Sequence, residues 1–371
     1  MLSRRAILFS SAALWGCRSR KATPFLGYCF VADQEGRSLA VADLSTFRTW
    51  HSIALPDAPT AVLAHPHRPK VFALAGSTGA LIEIDVASLA VSRQARAGTN
   101  ARSMQFDPDG NSIWVLYREP AALVEFPCDT LRPRRRLVLG MPPDGFNIGP
   151  NRRAAIASNA GHSVLIASLD RGAVENTVRL GAAPSLVSFQ QKGLQIIAAS
   201  HSAQNLTIID AVSGRVLVVL PIPIRPHHFC FSADEGQLFV TGQGRDAVVI
   251  VYPYTTEIGE TVLAGRSPAG MAVVNNILLV TNPETNTVTA LDIETRKLVA
   301  VIEVGQEPRE ILITPDSQYA LVLDQKSGDL AVIRVAALAA RDWVRRYKSA
   351  PLFTVIPVGQ KPVSAAVVRL V

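Results

Sequence analysis

Residues Gly270 to Arg309 read GMAVVNNILLVTNPETNTVTALDIETRKLVAVIEVGQEPR. Within them GMAVV, ILLVTN, TVTALDI and LVAVIEV are short aliphatic or β-branched runs, separated by Asn, Pro, Gly and charged turn residues, which predicts four consecutive strands. A single four-stranded unit leaves both faces of its sheet uncovered. It is stable only when stacked on further copies of itself.

The copies follow from the residue that precedes each first strand. Pro59, Ala101, Pro143, Pro184, Pro226, Pro268, Pro308 and Pro362 are spaced by 40 to 42 residues, except for a last step of 54. Several of these positions close a Gly-x-x-Pro turn, as in Gly265–Pro268, Gly305–Pro308 and Gly359–Pro362. A period near 40 residues with four strands per repeat is the signature of a β-propeller. The opening strands GYCFVAD, SLAVADL and WHSIAL, between Gly27 and Leu55, number three, and the missing fourth is SAAVVRLV at Ser364–Val371. The expected fold is therefore all-β: an eight-bladed propeller whose C-terminal strand joins the N-terminal blade and removes the free sheet edges of an open array. Seven blades are the alternative, should the degenerate fourth unit around NIGPNRRAAIAS form an irregular cover.

Composition agrees. The 371 residues are 48% hydrophobic and 18% charged, which excludes a disordered chain and fits a buried sheet core. Aromatic residues are only 6%, so aliphatic side chains must supply the packing between blades. The formal charge of +7 falls to roughly +5 without a leader holding Arg4 and Arg5, a modest bias toward anionic partners.

The chain divides into residues 1–17, a leader; 18–26, a linker; and 27–371, one propeller domain. The leader has an Arg pair at Arg4 and Arg5, an apolar run from Ala6 to Trp15, then Gly16 and Cys17. Ten apolar residues are too few to span a bilayer but suit a signal sequence. Ser3–Leu8 resembles a twin-arginine export motif, and Leu14–Cys17 resembles a lipobox with Cys17 as the lipid acceptor. These features predict an exported lipoprotein of the periplasm or cell envelope, held at the membrane through Cys17. The remaining Cys29, Cys128 and Cys230 are odd in number and imply no disulfide framework.

The eighth unit carries an insertion, VAALAARDWVRRYK at Val335–Lys348, which predicts a short helix with Leu338 and Trp343 against the rim and Arg341, Arg345, Arg346 and Lys348 outward. A basic run, Arg132 and Arg134–Arg136, opens the outermost strand of the third blade. Edge-strand charge of this kind blocks sheet-to-sheet aggregation. A nucleic-acid backbone is the sharper alternative, although the interleaved aromatic platforms that single strands need are missing.

The residues just after each reference position enter the innermost strand and face the channel mouth. Among them Arg102 and Arg309 suit a carboxylate or phosphate, while Asp144, His227, His228 and Glu310 suit a polar or cationic group. His227 and His228 are adjacent, so strict strand alternation sends them to opposite faces and disfavours joint chelation of a metal. His65 and His67 share a face but belong to a turn at the far end of their strand. No catalytic signature such as GxSxG, HExxH or a P-loop is present; the acids instead sit in turns such as Asp107–Gly110, where Asp caps its own backbone.

FDPDGNSIWVLY (Phe106–Tyr117), ITPDSQYALVLD (Ile313–Asp324) and LLVTNPETNTVTALDIETRKLVAVIEVGQEP (Leu278–Pro308) resemble the YVTN-type β-propeller repeat. The resemblance implies a toroid with a central channel, and an envelope protein of the YncE-like or surface-layer kind without an assigned reaction. The same superfamily includes lactonase-like propellers and the eight-bladed haem-d domain of nitrite reductases, and fold likeness does not choose among them. The expectation is a non-enzymatic, monomeric scaffold that binds a protein or other macromolecule. A lactonase-like hydrolase at the channel mouth and a haem-d-like cofactor carrier or assembly factor are the alternatives. The sequence itself specifies no cofactor.

Overall fold

The computed structural model describes residues 25–338 and 350–370. The leader, including Cys17, and the insertion residues Arg341, Trp343, Arg345, Arg346 and Lys348 lie outside them.

The quoted stretch forms one blade as its pattern requires, with antiparallel strands Met271–Val274, Ile277–Asn282, Thr287–Asp292 and Leu298–Glu303 paired in chain order. Eight such four-stranded sheets make the ring. They are numbered here I to VIII from the N-terminus, with strands counted outward from the channel. The second strand Ile277–Asn282 is buried along its whole length, while the outer strand Leu298–Glu303 is largely exposed. Middle strands are sandwiched between neighbouring blades on both faces, so they read as continuous apolar runs. Each hydrophobic cluster accordingly spans two blades; one joins Val71, Ala73 and Ile82 of blade II to Phe30, Leu39 and Val41 of blade I.

Blade I closes the ring. Its inner strand is the C-terminal Pro362–Arg369, paired antiparallel with Gly27–Asp33 from Gly27↔Arg369 to Asp33↔Pro362. The Asp33 carboxylate accepts the backbone N–H of Gln360 at 3.1 Å and of Lys361 at 3.0 Å. Corresponding polar residues end the second strands of blades VII and VIII: Asn282 accepts Gly265 N–H at 2.9 Å and Asp324 accepts Gly305 N–H at 3.0 Å. This contact explains the glycine of Gly-x-x-Pro. A Cβ on Gly305 would stand 2.6 Å from the Asp324 carboxylate, and one on Gly359 would stand 2.2 Å from that of Asp33.

Turns between third and outer strands repeat a second device. Asp85, Asp210 and Asp292 accept the N–H of Ser88, Ser213 and Thr295 at 2.8, 2.6 and 2.7 Å, and these bonds hold their carboxyls below the usual range.

Arginines then bind blade to blade. Arg93 of blade II donates to Cys128 O at 2.8 Å, Arg135 of blade III to Leu169 O at 3.0 Å, and Arg153 of blade IV to Ala211 O at 3.0 Å. Arg134 also pairs with the fully buried Glu125, and Arg136 donates to Ala97 O of blade II. Arg135 and Arg136 thus tie blade III to blades IV and II, while Arg134 braces blade III internally, beyond the edge protection expected of the run. The described part of the insertion is one helical turn, Val335–Leu338, whose Leu338 packs into the core between blades VII and VIII. Cys29, Cys128 and Cys230 are unbonded, the first two buried.

Candidate channel-mouth site

The inner strands of blades I, III, VI and VIII carry the same irregularity at the same place. Pairing runs Ala101↔Tyr117 then Ser103↔Leu116; Pro226↔Gly242 then His228↔Thr241; Pro308↔Asp324 then Glu310↔Leu323; and Asp33↔Pro362 then Ala32↔Ser364. In each case one residue is extra: Arg102, His227, Arg309 or Val363. A β-bulge bends the strand locally and re-aims the side chains beside it. Strict alternation therefore does not hold at His227–His228, and both imidazoles line one cavity, contrary to the sequence expectation.

That cavity, of about 390 Å³, lies at the channel mouth of blades VI to VIII and is lined by His227, His228, Met271, Arg309, Glu310 and Gln325, among others. The Arg309 guanidinium is held by Glu307 through Nε at 3.0 Å and Nη2 at 2.7 Å. Its other N–H groups make no bond within the described residues. Glu310 Oε1 accepts the N–H of Ala365, on the inner strand of blade I, at 3.3 Å.

Electrostatics here favour neutral side chains. Burial pushes the His227 imidazole down, helped by the positive fields of His201 and Arg309, and burial together with His227 does the same to His228. Both rings are reachable by water from the channel, yet protein surrounds them closely enough to disfavour the charged form. Burial raises the Glu310 carboxyl to about 7, against the lowering effect of the Ala365 N–H. Arg309, ion-paired with Glu307, is the cation of this wall.

Four of the six expected mouth residues are thus brought together: His227, His228, Arg309 and Glu310. Arg102 is exposed on blade III, three blades from Arg309, so the two arginines do not form a clamp in this cavity. Asp144 is engaged structurally, accepting Asn159 N–H at 2.7 Å and lying 3.6 Å from Arg118 of blade III. His65 and His67 sit in the turn expected for them, where His65 Nδ1 accepts the N–H of His67 at 3.0 Å and of Arg68 at 3.2 Å. Among the described residues no group of three or more His, Cys, Asp or Glu is arranged to hold a metal ion. His201 and Gln325 were not singled out from sequence. Each directly follows the second strand of its blade, and those loops share the mouth face with the inner-strand starts.

No family model matches the chain, and no curated protein matches it. Solved structures do. One described as dihydro-heme d1 dehydrogenase NirN in complex with DHE superposes with a TM-score of 0.75 at 14% identity, covering 94% of this chain and 76% of that one. Hydrazine synthase of Kuenenia stuttgartiensis gives a TM-score of 0.62 at 17% identity, covering 75% and 96%. A functionally unknown protein from Desulfotomaculum acetoxidans DSM 771 gives 0.58 at 13%, covering 74% and 94%. At these identities the likeness is one of fold.

Proposed function

We propose that the channel mouth of blades VI to VIII binds a planar, carboxylate-bearing cofactor of the haem type. The observation that carries this is the convergence of His227, His228 and Arg309 on one cavity. A neutral imidazole offers a nitrogen lone pair to an iron, and burial favours that form of both histidines. The planar Arg309 fork matches a carboxylate, and its remaining N–H groups are available for one. The cavity volume falls within the roughly 300–1,000 Å³ of small-molecule sites. A structurally similar propeller is described in complex with DHE, which adds support at the level of fold. When bound, such a group would supply an iron centre; the protein's part is to orient it, ligate it and pair its carboxylates.

Hemin titrated into the purified chain and followed by visible absorption tests this. A shifted, saturable band that weakens in His227→Ala or His228→Ala, together with lower affinity in Arg309→Gln, is the expected result. Free-hemin spectra throughout, or binding indifferent to all three substitutions, would sink it.

A second reading, a rigid disc that docks a protein, is favoured by the outer strand Val216–Pro221 of blade V. Its Val216, Leu217 and Val219 are exposed and it carries no charge, unlike most outer strands of the ring. An uncharged apolar edge can accept an added strand. Export and anchoring through Cys17 belong to either proposal.

A further inference from the structure

We infer that Thr281, buried on the second strand of blade VII, is the positioning residue that aims Arg309 into the cavity from the neighbouring blade. The inference rests on the reading that the cavity binds an anionic ligand through Arg309. A bulged residue has no ladder partner on its own sheet, so its carbonyl needs a donor from elsewhere. For Arg309 that donor crosses the blade boundary: Thr281 Oγ1 donates to Arg309 O at 2.9 Å, and the Gly270 N–H reaches the same oxygen at 3.1 Å. The Gly270 N–H is itself shared with Thr281 Oγ1 at 2.9 Å. Thr281, Gly270 and the Arg309 carbonyl therefore form a closed triangle, with Thr281 fully buried.

Two features make this arrangement specific. A Cβ on Gly270 would stand 2.1 Å from the Arg309 carbonyl oxygen, so the close approach requires glycine. Blade VI repeats the device through Thr241, whose Oγ1 donates to Ala269 O at 2.6 Å. There the anchored residue is an alanine with no group to aim. The same hydroxyl-to-carbonyl contact thus serves the fold in one blade and the fold plus Arg309 in the next, which provides an internal control.

Citrate is the probe, with affinity read by calorimetry on the full chain. Thr281→Val should bind it about fivefold more weakly, the scale expected for directly coupled neighbours. Thr281→Ser should restore binding to within about twofold, and Thr241→Val should also stay within about twofold. In an Arg309→Gln background Thr281→Val should cost nothing further. Should Thr281→Val fail to fold, Thr281→Ala, which removes the hydroxyl without adding an atom against the Arg309 carbonyl, is expected to give the same Arg309-dependent loss. Undiminished affinity in Thr281→Val, an equal loss with and without Arg309, or citrate binding that ignores Arg309 would overturn the inference. Failure of hemin to bind while the citrate pattern holds would remove the cofactor proposal and leave this one standing.

Discussion

The Asp33 carboxylate accepts the backbone N–H of Lys361 at 3.0 Å, joining positions 328 residues apart. It also accepts Gln360 N–H, so one buried side chain closes the turn that delivers the last strand to the first blade. Removing it leaves the N–H groups of Gly36, Gln360 and Lys361 without this acceptor. Asp33→Ala should lower unfolding free energy by about 2–3 kcal/mol, and Asp33→Asn by less, since an amide oxygen can still accept. Urea denaturation measures both; equal stability of Asp33→Ala and wild type would show that the seam does not depend on this contact.

Asp324 occupies the same position in blade VIII and behaves differently. It is fully buried, one carboxyl oxygen has no hydrogen-bond partner, and burial raises its pKa to about 7, with Asp329 adding to the rise and Gly305 N–H opposing it. The folded chain therefore retains a proton that the unfolded chain releases above pH 3.8. Stability from this group is present below that pH and is lost as pH rises toward 7. Asn282, its counterpart in blade VII, uses its amide to donate to Thr287 and Thr289 at 3.2 and 2.9 Å. Asp324→Asn should flatten the decline in denaturation midpoint between about pH 4 and pH 8 and equal or exceed wild type at the upper end. Glu310, raised in the same direction, keeps a residual slope. A steeper decline in the variant would contradict the argument.

Buried Glu83 gives the opposite sign. Burial would raise its carboxyl, but hydrogen bonds from Arg93, Lys70 and Ser92 outweigh it and hold the pKa below 4.5. Its contribution is present above the unfolded value and lost as pH falls through the folded one. Unfolding midpoints from about pH 6 to pH 3 should therefore fall more steeply in wild type than in Glu83→Gln.

His227 and His228 both titrate below the ordinary 6.5. A hemin complex ligated by either should accordingly keep its bound spectrum at pH values where free imidazole is half protonated. Absorption followed downward from pH 7.5 reads this. Loss of the band centred at or above pH 6.5 would mean that neither ring is the ligand.

Phe25, buried at the start of the described chain, and the Gly27↔Arg369 pair lie on the face opposite the channel mouth. Cys17→Ala is expected to move the protein from the membrane to the soluble fraction; unchanged partitioning would refute anchoring at that residue.

Blade count and strand order were readable because they depend on local chemistry: turn residues at a fixed period, apolar runs for strands covered on both faces, and a Gly-x-x-Pro whose glycine must approach a strand-end acceptor. The closing strand was legible for the same reason, since Ser364–Val371 has the pattern of an inner strand and no successors. His227, His228, Arg309 and Glu310 could be nominated from their offset after each reference position. Their grouping, and the separation of Arg102 and Asp144 from them, could not.

That grouping is decided by contacts between blades. The bulge at Arg309 is held by Thr281 and Gly270 of the preceding blade, and Glu310 reaches Ala365 of the next. The sequence by itself determined the ring, because each repeat encodes its own strands and turns and cannot bury its faces alone. Only the tertiary structure decided which mouth residues share a cavity, because register shifts and desolvation at the channel arise where separate repeats meet.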